Sequence, residues 1–519
     1  MQSETLERSR EREHAEDQET SSSFRDGGCN SILLDLLCVL YILGIGYGVV
    51  ACCIEHLLLS RLTAIMSTAK SKRQPDHLCV LIHGLWGNPV HLNHLRETLQ
   101  NQYPEDRLHV LVAKSNSDSH TYDGIELGGE RITNEIEQKI QELESNGAEL
   151  SKISIAGYSL GGLIARYAIG LLYKNGVFEK LQPVNFTTFA TPHLGVRTPT
   201  TGWKGAFWNN LGSRTLSTSG RQMFLIDSFR DTGRPLLATL ADANSIFMRG
   251  LRMFKNKSLY ANTINDRSVP FYTASFSRTD PFVDLEKVDL HFLPNQPEQV
   301  LLDPTNPVSP RLTPAETKTL YQSLVARETW ESVPFYALLT VLLPVGVSFF
   351  LVNAGIQTYK SAKRVRLHEE GKAGTSFRKY RIPLVEEAQA MQDRMMERMA
   401  NDRSTGGEEY LPTPPPEPAS SASSSSTAVA CSATPSDLEK QQSLSRQQTK
   451  KEKSHFPLLA LTAEQFEMIE NLDNIGITKY PVHIKAVRHT HAAIVVRTAR
   501  ESFGEGKVCV KHWATNFEI

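Results

Sequence analysis

A serine attacks an acyl carbonyl only when its hydroxyl stands clear of the backbone, a base takes its proton and donors receive the charge on the carbonyl oxygen. In this chain of 519 residues, Gly157-Tyr158-Ser159-Leu160-Gly161 has the residue types for the first requirement. Gly157 and Gly161 permit the crowding of a sharp strand-to-helix turn, which presents Ser159 as the nucleophile. The pentamer alone is a weak signal, and its setting strengthens it. It follows the strand-like Lys152 to Ala156 and precedes the apolar, helix-like stretch Leu163 to Ala168. The N–H of Leu160, next after the nucleophile, is one expected oxyanion donor. The loop His83-Gly84-Leu85-Trp86-Gly87, after the apolar run Leu78 to Ile82, supplies the other, with Leu85 favoured over Trp86.

The acid that orients a catalytic histidine should lie in the turn beyond a later strand. Leu259 to Thr263 reads as that strand and Asp266 falls just after it, with Asp280 as the next candidate. His491 follows a strand-like stretch near the C-terminus and completes the order serine, acid, histidine. His193, in Thr191-Pro192-His193-Leu194-Gly195, is the alternative base, with His489 and His291 behind it.

These residues need a frame. From His77 to about Ser277, short continuous apolar runs such as Leu78 to Ile82, Leu108 to Ala113 and Ile153 to Ala156 alternate with helix-like stretches. Ile132, Ile136, Ile140 and Leu143 recur at helical spacing between two of those runs. That is the pattern of an α/β fold with a mostly parallel sheet. The expected core runs over 75–334, and residues 458–519 complete it after a long interruption. An insertion at 196–258, with Trp203, Phe207 and Trp208, reads equally as a lid or as a packed subdomain.

Two apolar runs call for lipid. Residues 36–54, after a polar tail at 1–30, are long enough for a membrane anchor, and the cations Arg61, Lys70, Lys72 and Arg73 just beyond it place the rest of the chain in the cytosol. Phe335 to Val352, interrupted by Pro344 and Gly346 and followed by Lys360, Lys363, Arg364 and Arg366, reads as a membrane-associated segment over 335–366. Ser159 and Asp266 precede this run and His491 comes after it, so a crossing would divide the three residues between compartments. A re-entrant hairpin at Pro344 and Gly346, or a helix lying in one leaflet, is therefore expected. Residues 404–454, rich in Ser, Pro and Thr, read as a disordered linker.

A formal net charge of -1 gives no reason to expect a nucleic-acid partner. The 7 cysteines have neither metal-ligand nor disulfide-framework spacing, so no metal or other cofactor is expected and a reducing, cytosol-facing setting fits. The sequons at Asn185 and Asn256 would matter only on a lumenal face.

Taken together, His83-Gly84-Leu85-Trp86-Gly87, Thr121-Tyr122-Asp123-Gly124, Gly157-Tyr158-Ser159-Leu160-Gly161-Gly162-Leu163, Thr191-Pro192-His193-Leu194-Gly195 and His491-Ala492-Ala493-Ile494 resemble the fungal serine esterase family that includes the lipid-droplet phospholipase. The resemblance covers about His77 to Ile356 and about Leu458 to Arg497. It implies an α/β-hydrolase fold and hydrolysis of acyl esters in phospholipids or neutral lipids. The expected partners are a lipid ester and a membrane or lipid-droplet surface, on the endoplasmic reticulum or the droplet. The same motifs would serve a protein thioesterase or lipid-anchor deacylase, and a non-catalytic membrane scaffold is the remaining alternative.

Overall fold

The computed structural model describes residues 74–198, 209, 217–311, 333–370, 372 and 456–519. The tail at 1–30, the anchor at 36–54, the linker at 404–454 and Trp203, Phe207 and Trp208 lie outside the described residues.

Side chains on a strand alternate between faces, so a strand covered on both sides must be apolar at every position. Strand β1 (His77–Ile82) is buried throughout. Its Leu78, Val80 and Ile82 enter one core, while Cys79 and Leu81 enter another on the opposite face. With β2 (Leu108–Val112), β3 (Lys152–Tyr158), β4 (Gln182–Phe189), β5 (Asn256–Asn262) and, late in the chain, β8 (Thr478–Val482), it forms a six-stranded sheet of order β2-β1-β3-β4-β5-β8. Every neighbouring pair is parallel. The short pair β6 (Val288–Leu290) and β7 (Val308–Pro310) stands apart as an antiparallel ribbon.

Helix α1 (Asn93–Gln102) packs on one face of the sheet, while α2 (Ile125–Ser145) and α3 (Leu160–Lys174) cover the other. Helix α3 is buried from Leu160 to Leu172, and α2 meets it so closely that a Cβ at Gly129 would lie 2.4 Å from the Tyr167 ring. The C-terminal segment closes the α1 face. Helix α8 (Gly504–Thr515) places Cys509, Val510 and Trp513 in that core, and Tyr103 Oη donates to Phe517 O at 2.7 Å. Strand β8 lies at one edge of the sheet, beside β5. Ile484 is buried beyond its end. Asn185 of the first sequon is buried and bonded to Ser154 and Glu518, so that asparagine is core rather than an exposed acceptor.

The insertion expected at 196–258 is not a lid over its described second half. Helix α4 (Ser217–Met223) and helix α5 (Ile246–Arg252) are built into the main core, with Met223, Phe229, Leu236, Phe247 and Leu251 buried in the same core as α3. Phe247 sits on Gly170, where a Cβ would come within 2.3 Å of its ring. Apolar burial on this scale, with close backbone approach, fixes the segment in place.

Helix α6 (Val333–Glu369) runs for 37 residues without a break, so the hairpin expected at Pro344 and Gly346 does not form. Proline removes one amide donor and kinks a helix, but the bonds on either side carry it through. Among the residues whose side chains are described, no helix is long and apolar enough to cross a membrane. The described part of α6 has Ala354, Ser361 and His368 buried, whereas Leu351, Val352, Ile356 and Tyr359 are exposed. Its inward face is thus small and polar and its outward face largely apolar, the reverse of a helix facing water. Arg364, expected in a free basic flank, is turned inward onto Asp123. Helix α7 (Ala463–Asp473), begun by a capping box between Thr462 and Gln465, leads into β8.

Candidate active site

Ser159 stands between the C-terminal end of β3 and the first turn of α3, at φ 55° and ψ −127°. For a residue with a side chain this backbone region costs on the order of 1–3 kcal/mol, and it persists only where the surroundings enforce it. Enforcement here is by close packing. A Cβ at Gly161 would lie 2.2 Å from Ile82 O, and one at Gly157 would lie 2.4 Å from Gly162 Cα, so the end of β1 and the start of α3 are pressed against the turn. The Ser159 N–H donates to Phe189 O at 2.8 Å, which ties the turn to β4.

His491 and Asp266 meet Ser159 in one line. Ser159 Oγ lies 3.0 Å from His491 Nε2, and His491 Nδ1 lies 2.8 Å from Asp266 Oδ2. Both are hydrogen-bond distances, and their order gives the ring a carboxylate on one nitrogen and a hydroxyl on the other. Ser159 is 8% exposed, so the hydroxyl is reachable but largely enclosed. Parallel strands bring these residues together, because β3, β5 and β8 all end at the same edge of the sheet and each is followed by one of the three.

Each partner has its own support. Asp266 Oδ1 accepts the N–H groups of Ser268 at 3.0 Å and Val269 at 2.8 Å, and Oδ2 accepts Asn262 Nδ2 at 2.9 Å. The His491 backbone is held by Tyr158, whose hydroxyl donates to His491 O at 2.9 Å and whose ring centroid lies 5.2 Å from the imidazole. Thr490 Oγ1 donates to Ile264 O at 2.8 Å and joins the base loop to the acid loop. Sequence reasoning missed Tyr158, Asn262 and Thr490 as supports. Only Tyr158 had a usable signal there, its place inside the pentamer.

The oxyanion loop lies against the nucleophile, since a Cβ at Gly84 would fall 2.7 Å from Ser159 Cβ. The Trp86 N–H is engaged by Thr121 Oγ1 at 3.1 Å, whereas the Leu85 N–H has no acceptor among the described residues. Leu160 opens α3, where an N–H has no intrahelical acceptor. Leu85 and Leu160 thus each carry a backbone N–H with no acceptor among the described residues.

The other candidates have other partners. His193 is buried, with Nε2 3.0 Å from Thr188 Oγ1 and Nδ1 3.4 Å from Arg166. Burial, and then the Arg166 charge, hold its pKa well below the usual histidine range, so it supports the core as a neutral ring. Burial alone also lowers Arg166, to about 9. His291 bonds Asn306 O and Ser309 within the β6–β7 ribbon, and His489 is exposed. Asp280 accepts the Phe282 N–H at 3.1 Å and lines, with Asp266, an open cleft of about 480 Å³. Burial raises the Asp280 carboxyl to about 6. Among the described residues no group of histidine, cysteine or carboxylate side chains could hold a metal ion.

Residues 72–279 match the family described as "Putative serine esterase (DUF676)". The chain is 34% identical over 209 residues to "Putative lipase ROG1" of Saccharomyces cerevisiae, covering 39% of this chain and 29% of that protein. It is 32% identical over 222 residues to "Putative lipase YDL109C" of the same yeast, covering 41% and 32%. Against "Putative lipase C4A8.10" of Schizosaccharomyces pombe it is 28% identical over 206 residues, covering 38% and 26%. The matches thus span less than a third of the length of these relatives. Among solved structures, phospholipase PlaB from Legionella pneumophila aligns over 38% of this chain and 41% of its own, at 15% identity and a TM-score of 0.27, too slight a likeness to bear on the site. Residues 72–279 are thus similar to this serine esterase family, and strand β8 extends the parallel sheet from beyond the match.

Proposed function

We propose that the protein hydrolyses acyl esters of phospholipids or neutral lipids, with Ser159 as nucleophile, His491 as general base and acid, and Asp266 as the carboxylate that orients the ring. The observation that carries the reading is the unbroken line from Ser159 Oγ through His491 to Asp266, at 3.0 and 2.8 Å. Ser159 attacks the acyl carbonyl while His491 Nε2 takes its proton. The oxyanion is received by the N–H groups of Leu85 and Leu160. His491 then protonates the departing alcohol, and water, activated by the same ring, frees the acid from Ser159. Asp266 stabilises the imidazolium formed in both half-reactions.

A lipid substrate is supported by the lipase names of the relatives and by the exposed apolar side of α6, where Leu351, Val352 and Ile356 stand beside exposed Lys360 and Lys363. An apolar face bordered by cations suits an anionic lipid surface. We extend the reading to the cytosolic surface of the endoplasmic reticulum or of lipid droplets. The test is hydrolysis of phospholipid and triacylglycerol vesicles or emulsions by the purified full chain, with Ser159→Ala alongside. Loss of turnover and of fluorophosphonate labelling in the variant supports the proposal, and unchanged lipid-ester hydrolysis in Ser159→Ala ends it.

A further inference from the structure

A buried carboxylate needs compensation, and Asp123 has it twice. Its side chain is fully enclosed. Arg131 Nη2 of α2 lies 2.7 Å from Oδ2, while Arg364 of α6 reaches both oxygens, with Nε 2.8 Å from Oδ2 and Nη2 2.6 Å from Oδ1. Arg364 Nη2 also donates to Ser119 O at 2.8 Å. Ser119 and Asp123 sit at either end of the short 3-10 turn Asp118–Tyr122. One guanidinium therefore grips that turn from a helix 241 residues further along the chain.

The same turn carries the oxyanion loop. Thr121 Oγ1 accepts the Trp86 N–H at 3.1 Å, Tyr122 Oη accepts Trp86 Nε1 at 2.7 Å, and the Asp118 N–H donates to Gly87 O at 2.8 Å. Trp86 is held at φ 53°, a left-handed conformation that a tryptophan adopts only under constraint. The Leu85 N–H shares a peptide with Gly84 O, which accepts the Gly87 N–H at 3.1 Å and lies 3.1 Å from His83 Nδ1, so the turn reaches that peptide through Trp86 and Gly87.

We propose that Arg364 is a positioning residue for the oxyanion loop: its fork holds the turn Asp118–Tyr122, the turn holds Trp86, and Trp86 aims Leu85. The inference rests on the reading of Ser159 as nucleophile and Leu85 as donor. It makes α6 part of the catalytic unit, although Arg364 lies outside residues 72–279. Charge alone is not what Arg364 adds, because Arg131 already neutralises Asp123. What it adds is a planar two-point grip and a bond to Ser119, which lysine does not reproduce. A second attachment, His368 Nε2 2.8 Å from Glu130 Oε2, joins α6 to α2 independently of Arg364.

The experiment uses the full chain with a water-soluble short-chain p-nitrophenyl ester, so that lipid binding does not enter. It adds a trifluoromethyl ketone, whose hemiketal adduct with Ser159 mimics the oxyanion. Arg364→Ala should lower kcat by up to about tenfold, leave KM within about twofold, and weaken the ketone by the same factor as kcat. Arg364→Lys should recover only part of each. Adding Arg364→Ala to Thr121→Val should cost little more than Thr121→Val alone, because both cut one line of support. A folded Arg364→Ala variant with wild-type kcat and ketone affinity overturns the proposal. Should that variant fail to fold, Arg364→Lys is read instead, and wild-type values there overturn it equally. If the wild type shows no Ser159-dependent turnover, it is the functional reading that fails. Failure of this inference needs Ser159-dependent turnover that is indifferent to Arg364.

Discussion

The two flanks of Ser159 are held by different means. On the acid side, Asp266 is fixed from within its own turn: Asn262, Ser268 and Val269, all within four residues, supply three donors, and only His491 comes from afar. On the oxyanion side, the loop after β1 has local bonds only at Gly84 O, from the Gly87 N–H and to His83 Nδ1, while Trp86 is fixed by Thr121 and Tyr122, more than thirty residues away, and through them by Arg364. A self-contained turn tolerates loss of one bond, since the others hold the same geometry. An imported geometry depends on every link between the loop and the distant helix.

The largest effect expected from breaking this contrast is at the carboxylate itself. Asp266→Asn removes the charge that stabilises the imidazolium and favours the wrong tautomer, so kcat should fall by about 10⁴-fold with little change in KM. Steady-state ester hydrolysis measures it, with thermal unfolding as the control. Next comes Thr121→Val, which keeps the side-chain shape but leaves the Trp86 N–H without its acceptor. Removing one oxyanion donor outright costs about 10²–10³-fold, and a donor misaimed rather than removed should cost about tenfold. A parallel loss of trifluoromethyl ketone affinity separates this from a general loss of fold.

The same contrast governs how much was legible in the sequence. The nucleophile turn, the acid in the turn after a strand and the parallel sheet are written in adjacent residues, because glycines, apolar runs and turn residues act over a few positions. His491 was reachable only through the order of the three elements, as its strand comes after a long interruption. Local signals did not mark Asp123 and Arg364 as partners. Arg364 sits among Lys360, Lys363 and Arg366 and looks like one of a run of surface cations; that it alone turns inward is decided by the packing of α6. The unbroken run of α6 through Pro344 was likewise misread, because a proline marks a lost bond and says nothing of the bonds on either side. The packed half of the insertion was ambiguous because its apolar residues lie in short helices with no long period to read.

A smaller effect sharpens the contrast from the acid side. Asn262→Ala takes one donor from Asp266 but leaves both backbone N–H groups and His491, so kcat should fall by less than about fivefold: the lost bond is charge-assisted, yet the remaining contacts keep the carboxylate in place. If Asn262→Ala cost as much as Thr121→Val, the acid turn would not be self-contained and the distinction would fail.

The smallest effect concerns Asp280, which shares the cleft with Asp266 but takes no part in the line to Ser159. Burial raises its carboxyl from 3.8 to about 6. A carboxyl whose folded pKa is raised binds its proton more tightly in the fold than in the unfolded chain. The stability linked to it is therefore fully present below about pH 4 and is lost as pH rises through about 6. Asp280→Asn cannot ionise, yet its side-chain oxygen can still accept the Phe282 N–H. The variant should match the wild type in thermal midpoint near pH 4 and exceed it by a few degrees at pH 7.5, with kcat unchanged. The difference should open between those values, centred below pH 6. Equal midpoints across that range would mean that the Asp280 carboxylate is solvated in the fold, whereas a fall in kcat would bring Asp280 into the acid side of the site.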